Sequence, residues 1–337
     1  MPPRPAFLKQ LAMPIIAAPM FLVSGTSLVT AACKQGIVGT FPALNARTPE
    51  ILDKWLTEIK AALQETPARD APMTAPFGVN VIVHKTNGRL RKDVEAVIKH
   101  QVPIVITSLG AVPEVIEAAI EVGVARRLPP LRPLRMQDQA GADGLIAVCA
   151  GAGGHAGVMS PFALVPKLRE FYQGPICLAG ALSNGASIRA AQVLGADLAY
   201  MGTRFIATQE SMAEEAYKRM IVDSKNGPAP TYLPVIYTDK ISGVNANFLR
   251  KSLERAGLDP DNPQGEGLGE EDFSKLGMSL CVVGRDPSCR TTFRFICLYL
   301  SFPSHPRPTI SPQRLDRTPR SRHQKRGKIS GPQAKVC

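Results

Sequence analysis

Short, continuous apolar runs alternate with amphipathic stretches along the chain to about residue 205. Residues 14–20, 37–41, 77–83 and 103–108 are apolar almost throughout, as strands buried on both faces require. Between them, 27–35, 48–64 and 90–100 space their apolar residues three and four apart, which predicts helices. Gly36 stops the first helix, and Thr48 followed by Pro49 opens the second with a cap residue and a first-turn proline. Residues 113–122 predict a further helix ending at Gly123. The rhythm resumes with a strand at 145–149, a helix at 162–172, a strand at 175–180, a helix at 187–194 stopped by Gly195, and a strand at 196–204.

Such alternation predicts a parallel sheet covered by helices. Seven strands are legible, and 124–139 interrupts the series where one more belongs. The expected fold is α/β, a (β/α)8 TIM barrel with its fifth βα unit disrupted. An open, doubly wound sheet competes, but the first turn, Ala18 to Gly25, lacks the G-x-G-x-x-G fingerprint. Three parts follow: a barrel over 1–210, a helical and loop excursion over 211–277 that covers one face, and a basic tail over 278–337.

Charge changes that picture little. Of the net +12, most lies in 278–337, where 12 Lys/Arg face 2 Asp/Glu. The remainder is nearly neutral, so nucleic acid is not an expected partner of the barrel. No apolar run approaches the ~20 residues of a membrane span. The N-terminus shows no signal-peptide core, so a cytoplasmic location is expected. The seven cysteines form no C-x-x-C pair and no zinc-like spacing, so neither disulfide nor metal is expected.

The stretch that offers chemistry is Cys149-Ala-Gly-Ala-Gly-Gly-His-Ala-Gly157, directly after a strand. Its glycines allow close backbone approach to a ligand, and histidine is the side chain whose unperturbed pKa lies nearest neutrality, so His155 is a candidate proton carrier. A catalytic base and a histidine that merely bonds backbone are both open readings of it. In a barrel, the loops after the last two strands often bind phosphate. Here they are the loop from Gly180 to Gly185 and Met201-Gly-Thr-Arg204. Met20, Asn80 and Thr86 follow strands on the same rim, and an amide such as Asn80 suits a flat heterocycle.

Ala18-Pro-Met20, Pro76-Phe-Gly-Val-Asn80, Pro103-Ile-Val-Ile-Thr-Ser-Leu-Gly110, Ala150-Gly-Ala-Gly-Gly-His-Ala-Gly157 and Met201-Gly-Thr-Arg-Phe-Ile-Ala-Thr208 together resemble the nitronate monooxygenases, formerly called 2-nitropropane dioxygenases. The resemblance spans roughly 10–275. It implies an FMN-dependent barrel that oxidises alkyl nitronates with O2 to a carbonyl compound and nitrite. It also implies that His155 is the base, that Met20, Asn80, Thr86, Gly153, Ala179 and Gly180 line the flavin, and that Gly202 and Thr203 hold its phosphate. Two departures stand out. Residues 124–139, with three prolines and four arginines, cannot supply the family's fifth strand and helix. We read them as a compensated frameshift, because the register returns at 140–144. From about Met278 the family's helical C-terminus is replaced by Pro-, Arg- and Ser-rich sequence with one apolar run, 292–301. Disorder is expected from about Pro303. The alternatives are another FMN barrel, such as an NAD(P)H-dependent enoyl-thioester reductase, or an inactive, damaged homologue.

Overall fold

The structure is a computed structural model that describes residues 6–65, 71–83, 87–108, 143–226, 234–241, 246–263 and the backbone of 293–298. Its strands are β1 (Ile15–Ala17), β2 (Val38–Pro42), β3 (Gly78–Ile82), β4 (Ile104–Ser108), β5 (Gly144–Val148), β6 (Gly154–His155), β7 (Ile176–Ala179), β8 (Leu198–Met201), β9 (Val235–Thr238), β10 (Ala246–Leu249) and β11 (Phe293–Leu298). Its helices are α1 (Thr26–Lys34), α2 (Pro49–Gln64), α3 (Leu90–Lys99), α4 (Pro161–Arg169), α5 (Gly185–Leu194), α6 (Thr203–Ile206), α7 (Glu215–Asn226) and α8 (Arg250–Arg255). The helix expected at 113–122 and the whole of 124–139 lie outside the described residues.

Eight parallel strands close into a barrel in the order β1-β2-β3-β4-β11-β5-β7-β8. The strands expected from the sequence fall where predicted, within a few residues at their ends. One placement was not foreseen. The apolar run that the sequence reading assigned to the tail supplies β11, which stands between β4 and β5. Phe295 pairs with Ile106 on one side and with Gly144 on the other. The gap expected at the fifth position is therefore filled, and β4 and β5 are both paired. A sheet closed on itself has no exposed edge.

The core follows from strand periodicity. Val79 and Val81 pack outward against Leu52, Leu56 and Ile59 of α2 and Val97 of α3. Asn80, between them, consequently faces the barrel interior. α1 approaches β2 closely: a Cβ on Gly39 would stand 2.4 Å from the Val29 carbonyl oxygen. The Thr48 hydroxyl accepts from Ile51 N at 3.3 Å and caps α2, as its sequence predicts.

Beneath the barrel, Arg169 ties three elements together. Its guanidinium donates to Gly195 O at 2.7 Å and Gly174 O at 2.6 Å and pairs with Asp197, whose carboxylate accepts from Ile176 N at 3.0 Å. The opposite, C-terminal rim carries the candidate chemistry.

Candidate functional site

The chain leaves β5 and returns on itself, and this return builds the His155 loop. Ala150 N donates to Met159 O at 2.8 Å and closes the loop's base. Gly151 and Gly154 hold φ of +87° and +98°, conformations that a side chain would strain. Gly154 and His155 are then extended as β6 and pair antiparallel with Asn247 and Ala246 of β10. β10 in turn pairs with β9. The excursion expected to cover one face thus docks on the loop that carries His155. His155 is 7% exposed.

Neighbouring rim loops converge on this one. Cys149 N donates to Ala179 O at 2.8 Å, and Ala181 N donates to Gly151 O at 3.0 Å. Gly180 turns with φ +135°, and Ala181 holds φ +55°, a left-handed conformation uncommon without glycine. A Cβ on Gly180 would lie 3.1 Å from Ala150 O, and one on Gly153 would lie 3.0 Å from Thr203 Oγ1. These loops pass one another closely, and the positive φ of Gly180 adds strain for any side chain placed there. Gly202 precedes α6, and a Cβ there would lie 3.6 Å from Met20 Sδ. Ala18 N donates to Met201 O at 2.9 Å and brings the loop after β1 to the same arc.

The loop after β1 is held by two polar residues that the sequence reading passed over. Asn45, buried at 6% exposure, donates from Nδ2 to Met20 O at 2.9 Å and to Ser24 O at 2.8 Å. Its Oδ1 accepts from Leu22 N at 2.9 Å, which fixes Leu22 at φ +60°. Ser24 Oγ accepts from Met20 N at 3.0 Å. The legible signal was an asparagine in a short loop directly after a strand.

Of the expected site residues, Met20, Gly153, Ala179, Gly180, Gly202, Thr203 and His155 gather along one arc formed by the ends of β1, β5, β7 and β8. Asn80 belongs to the opposite wall, where its amide donates to Ile106 O at 3.3 Å. Thr86 lies outside the described residues. The start of α5 is already served by its own side chains: Asn184 Oδ1 accepts from Ser187 N at 2.9 Å, and Ser187 Oγ accepts from Asn184 N at 3.2 Å. Cys149 is buried, and burial pushes its thiol up to about 12, so it offers no thiolate near neutrality. Among the described residues no group of His, Cys, Asp and Glu could hold a metal ion, and no helix is long and apolar enough to cross a membrane.

The sequence model of one family, described as nitronate monooxygenase, matches residues 85–257, half of the chain. The chain belongs to the nitronate monooxygenase family. A nitronate monooxygenase of Paraburkholderia phytofirmans is 26% identical over 299 residues, covering 74% of this chain and 77% of that one. A Staphylococcus aureus protein named a probable nitronate monooxygenase is 27% identical over 184 residues. That match covers 50% of this chain and 51% of the relative, so the chain spans about half the length of the Staphylococcus aureus relative. Among solved structures, FabK from Thermotoga maritima is 29% identical with a TM-score of 0.58, covering 74% of this chain and 75% of its own. A nitroalkane oxidase from Streptomyces ansochromogenes, 22% identical with a TM-score of 0.60, covers 87% and 94% and shares the barrel fold.

Proposed function

We propose that this member of the family is a flavin-dependent oxidoreductase that converts alkyl nitronates and O2 into a carbonyl compound and nitrite. The observation that carries the reading is the arc itself: the buried His155 among rim loops of small residues that meet those after β7 and β8. The residues fit FMN. Gly153, Ala179 and Gly180 bring backbone with little or no side chain to the arc beside His155, where a flat ring system can approach the main chain closely. The Thr203 hydroxyl and the backbone N–H groups at Gly202 and Thr203 are donors suited to the phosphate. Met20, Asn80 and Thr86 complete the lining in this proposal.

When bound, the flavin supplies the electron-accepting centre and its reaction with O2. The chain's own contribution is positional and acid–base. His155 takes the proton from the carbon beside a neutral nitro group, and the electron pair of that C–H bond moves onto the nitro oxygens to give the nitronate. A preformed nitronate needs no such step. His155→Ala is therefore expected to impair turnover of a neutral nitroalkane far more than turnover of its nitronate, followed by O2 consumption and nitrite release. Equal loss on both substrates would remove His155 from the role of base. Anaerobic bleaching of the flavin by NADPH would favour the enoyl-thioester reductase alternative.

A further inference from the structure

His155 belongs to a glycine-rich loop, and such a loop does not by itself fix the direction of a side chain. Two side chains from outside the barrel grip it. Asn247 Nδ2 donates to Ala152 O at 2.8 Å, and the Tyr237 hydroxyl donates to Ala156 O at 3.3 Å. The two bonds fall on either side of Gly153-Gly154-His155. Between them, the backbone register of β10 sets Ala246 against His155 and Asn247 against Gly154. Ala246 and Phe248 are buried on β10, with Phe248 packed against Ile241 and Leu253, so the clamp rests on a small core of its own.

We propose that Asn247 and Tyr237 are positioning residues, which hold β6 extended and thereby set the direction of the His155 ring towards the arc. This rests on the proton-transfer role proposed for His155. A histidine held by the barrel alone would not need these partners. A histidine held by the excursion loses its geometry when they are removed, even though neither side chain is part of the arc.

The test uses the full chain carrying Asn247→Ala, Asn247→Asp or Tyr237→Phe. The last variant removes only a hydroxyl from a 43%-exposed ring and keeps the proposal testable if the asparagine variants fail to fold. Two readouts are taken. The first is the ratio of kcat on a neutral nitroalkane to kcat on its nitronate. The expected result is at least a tenfold fall in that ratio for Asn247→Ala and a smaller fall for Tyr237→Phe, with KM for the nitroalkane changed less than twofold. The second is independent of turnover: the imidazole resonances of His155, assigned by their loss in His155→Gln. They are expected to shift or broaden in the variants while those of His100 stay in place. An unchanged ratio with unchanged His155 resonances overturns the proposal. So does a parallel fall on both substrates with unmoved resonances, which is the mark of a merely structural role. If the unsubstituted chain turns over neither substrate, the proposed function fails, and the resonances alone decide whether the clamp positions His155.

Discussion

Gly157 passes so close to Val148 that a Cβ on the glycine would stand 2.2 Å from the Val148 carbonyl oxygen. This contact is backbone against backbone at the point where the His155 loop returns over β5, so neither partner can swing aside. Gly157→Ala is expected to cost about 1–3 kcal/mol or more through overpacking, and to disturb His155 as well. Gly185, at the first position of α5, has nothing within 4 Å of an added Cβ. Gly185→Ala should stabilise by about 0.4–1 kcal/mol through the unfolded chain. Chemical unfolding of both variants checks the contrast, and equal effects would contradict it.

Asn45 supplies three hydrogen bonds to the backbone of the loop that carries Met20. Asn45→Ala leaves the Leu22 N–H and the Met20 and Ser24 carbonyls to find other partners in a buried place. Each unsatisfied group costs about 1–3 kcal/mol. The expected outcome is a lower melting temperature together with weaker retention of added FMN on gel filtration. Full retention of the flavin would show that the loop after β1 is not part of its site.

β11 gives a direct expectation for truncation. A chain ending at 301 keeps all eight strands, whereas one ending at 263 leaves β4 and β5 with unpaired edges. Exposed strand edges pair with other chains. The shorter protein should therefore melt lower and self-associate, as read by calorimetry and light scattering. Identical melting of the two truncations would remove β11 from the barrel.

Three buried acids set an alkaline limit. Burial raises the Cys33 thiol from 9.0 to about 12 and the Cys149 thiol likewise, and it pushes the Tyr217 phenol up as well. Each keeps its proton in the folded chain at a pH where the unfolded chain has lost it. The unfolded state then binds fewer protons, so stability falls as the pH rises. For the thiols this loss is absent below about pH 8 and grows between 9 and 12. Urea midpoints measured from pH 7 to 10.5 should decline, and the decline should be shallower in Cys33→Ala. A flat profile would contradict the burial of these groups.

Much of the barrel was legible because its information is local. Thr48-Pro49 marks the start of α2 wherever the helix is placed, and the runs that became β3 and β4 are largely apolar, as a parallel sheet covered by helices demands. The glycines of 149–157 likewise announced close backbone approach. What escaped was long-range pairing. Nothing in the pattern of 293–298 says that it belongs between Ile106 and Gly144, because strand register is written in the partners as much as in the strand. Asn247 was hidden for the same reason: it sits in an excursion read only as covering a face, and its role exists only through Ala152. Asn45 was the opposite case, a local signal given no weight.

In the proposed function, the arc around His155 holds a flavin that takes electrons from a nitronate. The most direct measurement is the visible spectrum of the purified protein, reconstituted with FMN if needed, before and after anaerobic addition of a primary alkyl nitronate. The expected result is the bands of oxidised flavin, their bleaching by the nitronate, and their return with nitrite on admitting O2. A protein that takes up no flavin, or a bound flavin that the nitronate leaves unchanged, would contradict it.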